Sequence, residues 1–151
     1  PGTNRGTRFT PNSAAYPSGH ATFCAAALQV LRLWLEKCGL VKTMPVADAD
    51  SVAFDFVSDE YNGTNTDPDG ARRPLHCRKF TSLWQAILEN AESRVFLGVH
   101  WRFDGISVAG KNGTTTTGSP SRPAELGNIG GVWLGMEIAN DLMAKGLHQH
   151  P

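Results

Sequence analysis

The stretch that most limits how this chain folds runs from Ala21 to Lys37. Its polar positions Gln29, Arg32 and Glu36 follow one another at i, i+3 and i+7, while Phe23, Ala27, Leu28, Val30, Leu31, Trp34 and Leu35 leave the rest of a helical surface apolar. A helix with so narrow a wet stripe belongs inside a bundle, and Gly39 supplies its stop. Immediately before it stand Tyr16-Pro17-Ser18-Gly19-His20. Pro17 fixes the chain entering the turn, Ser18 brings a hydroxyl, Gly19 an amide with nothing in front of it, and His20 an imidazole. A helix start carries unsatisfied N–H groups and a partial positive charge, so these groups together form a seat for an anion. Taken alone, they equally describe an ordinary Ser N-cap beside a surface His.

Charge and cysteine content exclude several functions. Fourteen basic and fourteen acidic residues cancel, so neither nucleic acid nor an anionic membrane surface is indicated as a partner. No apolar run approaches a membrane span, and the chain opens on Pro1 into a Gly/Thr/Asn/Arg-rich coil over residues 1–15, as a fragment or processed chain does. Cys24, Cys38 and Cys77 are odd in number and far apart, which argues against a zinc site or a disulfide framework while leaving a single Cys38–Cys77 bridge open. Asn62-Gly63-Thr64 and Asn112-Gly113-Thr114 are glycosylation sequons, but Asn-Gly reads first as a turn.

Residues 40–78 are the least regular region, with Pro45, Asp48 and Asp50 at a bend and a turn-rich run from Asn62 to Gly70; Ser51 to Val57 is either a short strand or an extended connector. A second helix is expected from about Lys79 to Leu97, with Leu83, Trp84, Ile87, Leu88, Ala91 and Val95 on one face. Arg94 falls within that apolar face, where a guanidinium needs an anion, either a structural carboxylate or a ligand. In Gly98-Val99-His100-Trp101-Arg102-Phe103-Asp104, the i, i+4 spacing lets Asp104 hold one ring nitrogen of His100 if the segment is helical, leaving the other nitrogen available. A polar loop over residues 105–125 precedes a third helix from about Asn128 to Lys145, whose Gly130, Gly131 and Gly135 suit close packing against another helix. The closing His148-Gln149-His150-Pro151 reads as a frayed tail.

Each of these features has a bland explanation, yet they occur in one order: Pro-Ser-Gly-His opening an apolar helix, Ser93-Arg94 ending another, then His100 and Asp104. That ordered set resembles the second and third signature motifs shared by vanadium-dependent haloperoxidases and phosphatidic-acid-phosphatase-like acid phosphatases. Phe80-Thr81-Ser82-Leu83-Trp84, Glu89-Asn90-Ala91, the run from Ser93 to Asp104, and Ile129-Gly130-Gly131-Val132 before Leu134-Gly135 look like the chloroperoxidase-type enzymes in particular. The resemblance implies an all-α helical bundle in which residues 1–151 form the C-terminal catalytic portion of a larger protein. It implies vanadate as cofactor, with His100 as the metal ligand through Nε2 and Asp104 behind it. Ser18, Gly19 and Arg94 would hold the oxyanion, and His20 would act as the acid–base group. Hydrogen peroxide, a halide (chloride or bromide) and a small organic acceptor are the implied reactants, vanadate acting as a Lewis acid. The three helix ends must then converge on one pocket.

Two departures qualify this resemblance. A Lys followed by Arg-Pro, which supplies two further cations in such enzymes, is absent: Arg73-Pro74 and Arg122-Pro123 have Thr66 and Thr115 where the lysine belongs. Its own N-terminal region or a second chain is therefore expected to complete the pocket, and a homo-oligomer is among the assemblies allowed. Ser13, a few residues before Ser18, lies in the neighbourhood where chloroperoxidases commonly carry Phe and bromoperoxidases His, which leaves the halide undecided. The alternatives are a phosphatase on the same frame, in which His100 attacks phosphorus, and an inactive helical remnant; a serine hydrolase is weaker, since Tyr16 and His20 occupy the glycine positions of its elbow. The family leans toward a secreted or periplasmic setting.

Overall fold

The computed structural model describes residues 14–41 and 49–146. The lead-in over residues 1–13, with Ser13, the bend at Pro45 and Asp48, and the tail from His148 lie outside them. Helix α1 runs Gly19–Lys37, with Ser18 as its N-cap: the Ser18 Oγ accepts from the Ala21 N–H at 3.4 Å. Strands β1 (Phe54–Asn62) and β2 (Leu75–Phe80) form an antiparallel hairpin, followed by α2 (Leu83–Phe96) and the one-turn α3 (Arg102–Gly105). Two-residue strands β3 (Val108–Ala109) and β4 (Thr115–Thr116) pair in the long loop, and α4 (Gly130–Lys145) closes the described chain.

A helical bundle is therefore present, but an all-α description does not hold, because two small sheets interrupt it. The hairpin forms where the sequence looked irregular because its stabilisation lies between strands. Phe54 faces Phe80 with ring centroids 5.1 Å apart, Asp55 faces Lys79, and Phe56 stacks on Phe80 at 6.1 Å. Both Asn-Gly sequences are turns: the Asn62 Oδ1 accepts from the Thr64 N–H at 2.8 Å, with Gly63 at φ +78°, and Gly113 closes a 3-10 turn. Pairing of Lys79 and Phe80 in β2 also delays α2 to Leu83, later than the expected start near Lys79. Ser82 caps it, accepting from the Gln85 N–H at 3.0 Å, while the buried Asp50 accepts from the Leu83 and Trp84 N–H groups at 2.7 and 3.0 Å.

The core comprises Ala21 and Ala25 of α1, Trp84, Ile87 and Ala91 of α2, Ile106, and Val132 and Met136 of α4. Helices α1 and α4 lie side by side in parallel. Gly131 sits against Ser18, Ala21 and Thr22, Gly135 against Thr22, Ala25 and Ala26, and Gln29 Nε2 donates to Asn140 Oδ1 at 3.3 Å. The small residues of the glycine-rich turns thus permit the close packing expected of them.

Burial around α1 differs from the sequence expectation. Its buried face carries Ala21, Thr22, Ala25, Gln29 and Arg32, whereas Phe23 is 75% exposed and Leu31 and Trp34 also face outward. The physical reason is twofold. Close approach of α4 demands small side chains, and the polar stripe finds partners inside: Arg32 Nε donates to Asp50 Oδ2 at 2.9 Å and its Nη1 to Gln29 Oε1 at 2.6 Å. Burial lowers the Arg32 pKa, while the charge and hydrogen bond of Asp50 oppose that shift. All three cysteines are free, so no Cys38–Cys77 bridge forms.

Candidate functional site

The expected site residues are linked through the start of α1, the last turns of α2 and the segment leading into α3. The Ser18 N–H donates to the Asp104 carbonyl at 2.8 Å, which ties the turn before α1 to α3. Asn90, one turn before Arg94 on α2, donates from Nδ2 to the His20 carbonyl at 2.9 Å. The Val99 and His100 N–H groups donate to the Arg94 carbonyl at 3.1 and 3.3 Å, and Gly98, at φ +71°, turns the chain there.

His100 and Asp104 meet as their spacing suggested, though not within one helix. His100 precedes α3 and Asp104 lies inside it; His100 Nδ1 and Asp104 Oδ2 are 3.3 Å apart. Asp104 is itself fixed, because Oδ2 accepts from the Trp101 N–H at 2.9 Å and its own N–H donates to the Trp101 carbonyl at 3.1 Å. Both side chains are shielded, at 9% and 1% exposure. An imidazole held through Nδ1 presents Nε2.

Arg94 is half-buried near the end of α2. Its Nε is buried without a hydrogen-bond partner, and no carboxylate of the described residues pairs with it. Such an orphaned donor is what a bound oxyanion would satisfy. At the other end of the site Ser18 is fully buried, while Gly19 and His20 are exposed. A Cβ built on Gly19 would meet only the Phe23 ring, at 3.8 Å, so the space before this backbone is open. The buried donor, the open glycine and the shielded histidine suit a small tetrahedral oxyanion in the chemistry of their donors. A cleft of about 350 Å³ beside His100 is lined by Ala15, Val95, Gly98, Val99 and Trp101; Ser18, Gly19, His20 and Arg94 do not line it, so this cleft is not the single pocket on which the three helix ends were expected to converge.

Sequence reasoning did not find Asn90 as the support of His20, or Glu92, which accepts from Arg102 Nη1 at 2.9 Å and from the Ser119 hydroxyl. Nor did it find Asp50 as the cap of α2. Asn90 had a faint signal as part of Glu89-Asn90-Ala91, whereas Asp50 and Ser119 act across long sequence separations that no spacing rule reports.

Residues 3–119 match the family model of the VCPO second helical-bundle domain. The chain is 36% identical over 182 aligned residues to the vanadium chloroperoxidase of Curvularia inaequalis, an alignment covering 95% of this chain. The chain spans about 30% of the length of that relative.

Proposed function

The chain belongs to the vanadium chloroperoxidase family, and on that footing we propose that the full-length protein is a vanadate-dependent haloperoxidase that oxidises halide with hydrogen peroxide. The observation that carries this reading is a shielded, carboxylate-held His100 six residues after the partnerless buried Nε of Arg94, whose carbonyl accepts from the His100 N–H. His100 Nε2 would be the ligand atom, its ring oriented by Asp104 Oδ2. The Arg94 guanidinium, the Gly19 N–H and the Ser18 hydroxyl would hold the oxygens, the arginine through charge-assisted bonds about twice as strong as neutral ones. Vanadate, when bound, supplies a Lewis-acid centre at which peroxide becomes an oxidant for halide.

The His20 imidazole, with its backbone carbonyl anchored by Asn90, would take a proton from incoming peroxide and return it to the departing oxygen. Two more cations are required around a multiply charged oxyanion, and a Lys/Arg-Pro segment elsewhere in the same polypeptide or on a second chain would supply them. The halide, the organic acceptor and peroxide all reach the site as small molecules.

The test is bromination of monochlorodimedone by full-length protein in vanadate, peroxide and bromide. Wild type is expected to brominate and His100→Ala to lose the reaction to background. Release of phosphate from p-nitrophenyl phosphate without peroxide, and no bromination, would overturn this reading in favour of the phosphatase.

A further inference from the structure

Between the hairpin, α1 and α2 lies another cavity, of about 330 Å³. Its lining includes Cys24 of α1, Phe54 and Phe56 of β1, Phe80 of β2, and Asn90 and Ser93 of α2. We propose that this cavity binds an uncharged, electron-rich arene, the organic acceptor of the reaction; this rests on the haloperoxidase reading for its catalytic meaning but not for the binding itself.

Three observations argue for that ligand. The first is shape: the Phe56 and Phe80 rings lie 3° from parallel, and Phe54 stacks on Phe80 at 22°, so the hairpin offers flat apolar walls. The second is charge. Arg78 Cζ lies 5.9 Å from the centre of the Phe80 ring, but its guanidinium is paired with Glu89, which also lines the cavity, so the rim carries no net charge to attract an ion. Asn90 and Ser93 leave a polar end suited to a hydroxyl. The third is position. Cys24 follows His20 by four residues on α1 and Asn90 precedes Arg94 by four on α2, so each helical wall stands one turn, about 5.4 Å along the axis, from a group assigned to the oxyanion. The Asn90 side chain both lines the cavity and holds the His20 carbonyl at 2.9 Å. An arene seated there would lie about one helical turn from His20 and Arg94. In the transfer the ring carbon gains the halogen and loses a proton, and hypohalous acid leaves as water.

The experiment uses 2-naphthol as probe and full-length protein. Calorimetric titration without vanadate or peroxide should show saturable binding that Phe56→Ala weakens about tenfold and Phe56→Tyr preserves. Phe56 is 46% exposed, so truncation removes a wall and opens no core void. In wild type, independent of any variant, 2-naphthol should slow alkylation of Cys24 and leave the exposed Cys38 and Cys77 unaffected. With vanadate, peroxide and bromide, Phe56→Ala should raise the KM for 2-naphthol by the same factor and Phe56→Tyr should restore it. Absence of saturable binding, or equal reactivity of Cys24 with and without 2-naphthol, overturns the proposal even if monochlorodimedone is brominated. Binding and Cys24 protection without bromination of either acceptor uphold the site and refute the haloperoxidase reading instead.

Discussion

Arg94 places a guanidinium nitrogen in a buried position with no acceptor, and an unmet buried donor costs about 1–3 kcal/mol. That cost makes the residue separable from the fold. Arg94→Met removes the orphaned donor and keeps an unbranched apolar stem, so the midpoint of thermal unfolding is expected to stay level or rise. Vanadate affinity should fall by roughly one to two orders of magnitude, the worth of a charge-assisted hydrogen bond or two. Parallel melting curves and vanadate titrations of bromination measure both. A large loss of thermal stability would show that Arg94 has a structural partner after all.

At the scale of elements, the turn that carries Ser18 depends on how α1 meets α4. Gly131 has no room for a side chain: a Cβ there would stand 2.5 Å from the Ser18 carbonyl oxygen and 2.9 Å from Ala21 Cβ. Neither obstacle is the end of a flexible side chain, so Gly131→Ala must push the helices apart at the level of Ser18. Overpacking of this kind costs about 1–3 kcal/mol, a fall in melting temperature of roughly 2–12 °C for a domain of this size. Because Ser18 is displaced with Ala21, vanadate affinity should fall as well; a variant that melts with wild type would mean α4 does not position the turn. This contact was legible in the sequence, since three glycines in the first turns of one helix state that another backbone comes close. Which face of α1 it would occupy was not legible. A bulky apolar surface looked like the buried one, yet the helix buries its small residues and its Gln29–Arg32 stripe, because Asp50 and Asn140 supply partners from outside the helix.

In the molecule as a whole, helices were legible from periodicity and the hairpin was not, because Phe54 and Phe80 gain their stability from each other across a turn-rich connection. The order of Ser18, Arg94, His100 and Asp104 was legible as a motif, whereas Asn90, Glu92 and Ser119 enter only when distant segments meet. Glu92 is the member of that group with a consequence for stability across pH, since it joins α2 to Arg102 of α3 and to the loop at Ser119. Burial pushes its carboxyl up, but the Ser119 hydroxyl and the hydrogen bond and charge of Arg102 outweigh burial and hold it below the ordinary glutamate value. A folded-state value below the unfolded one means the unfolded chain binds the proton more readily. The stabilisation is therefore complete at neutral pH, above the unfolded value, and is lost as pH falls through the folded one. Glu92→Gln should accordingly melt below wild type at pH 7, by a few degrees at most for so partly exposed a pair, and the two curves should converge as pH is lowered from 6 to 3. Calorimetry across that range reads the difference directly. A constant offset at every pH would mean that Glu92 acts by packing and not through its charge.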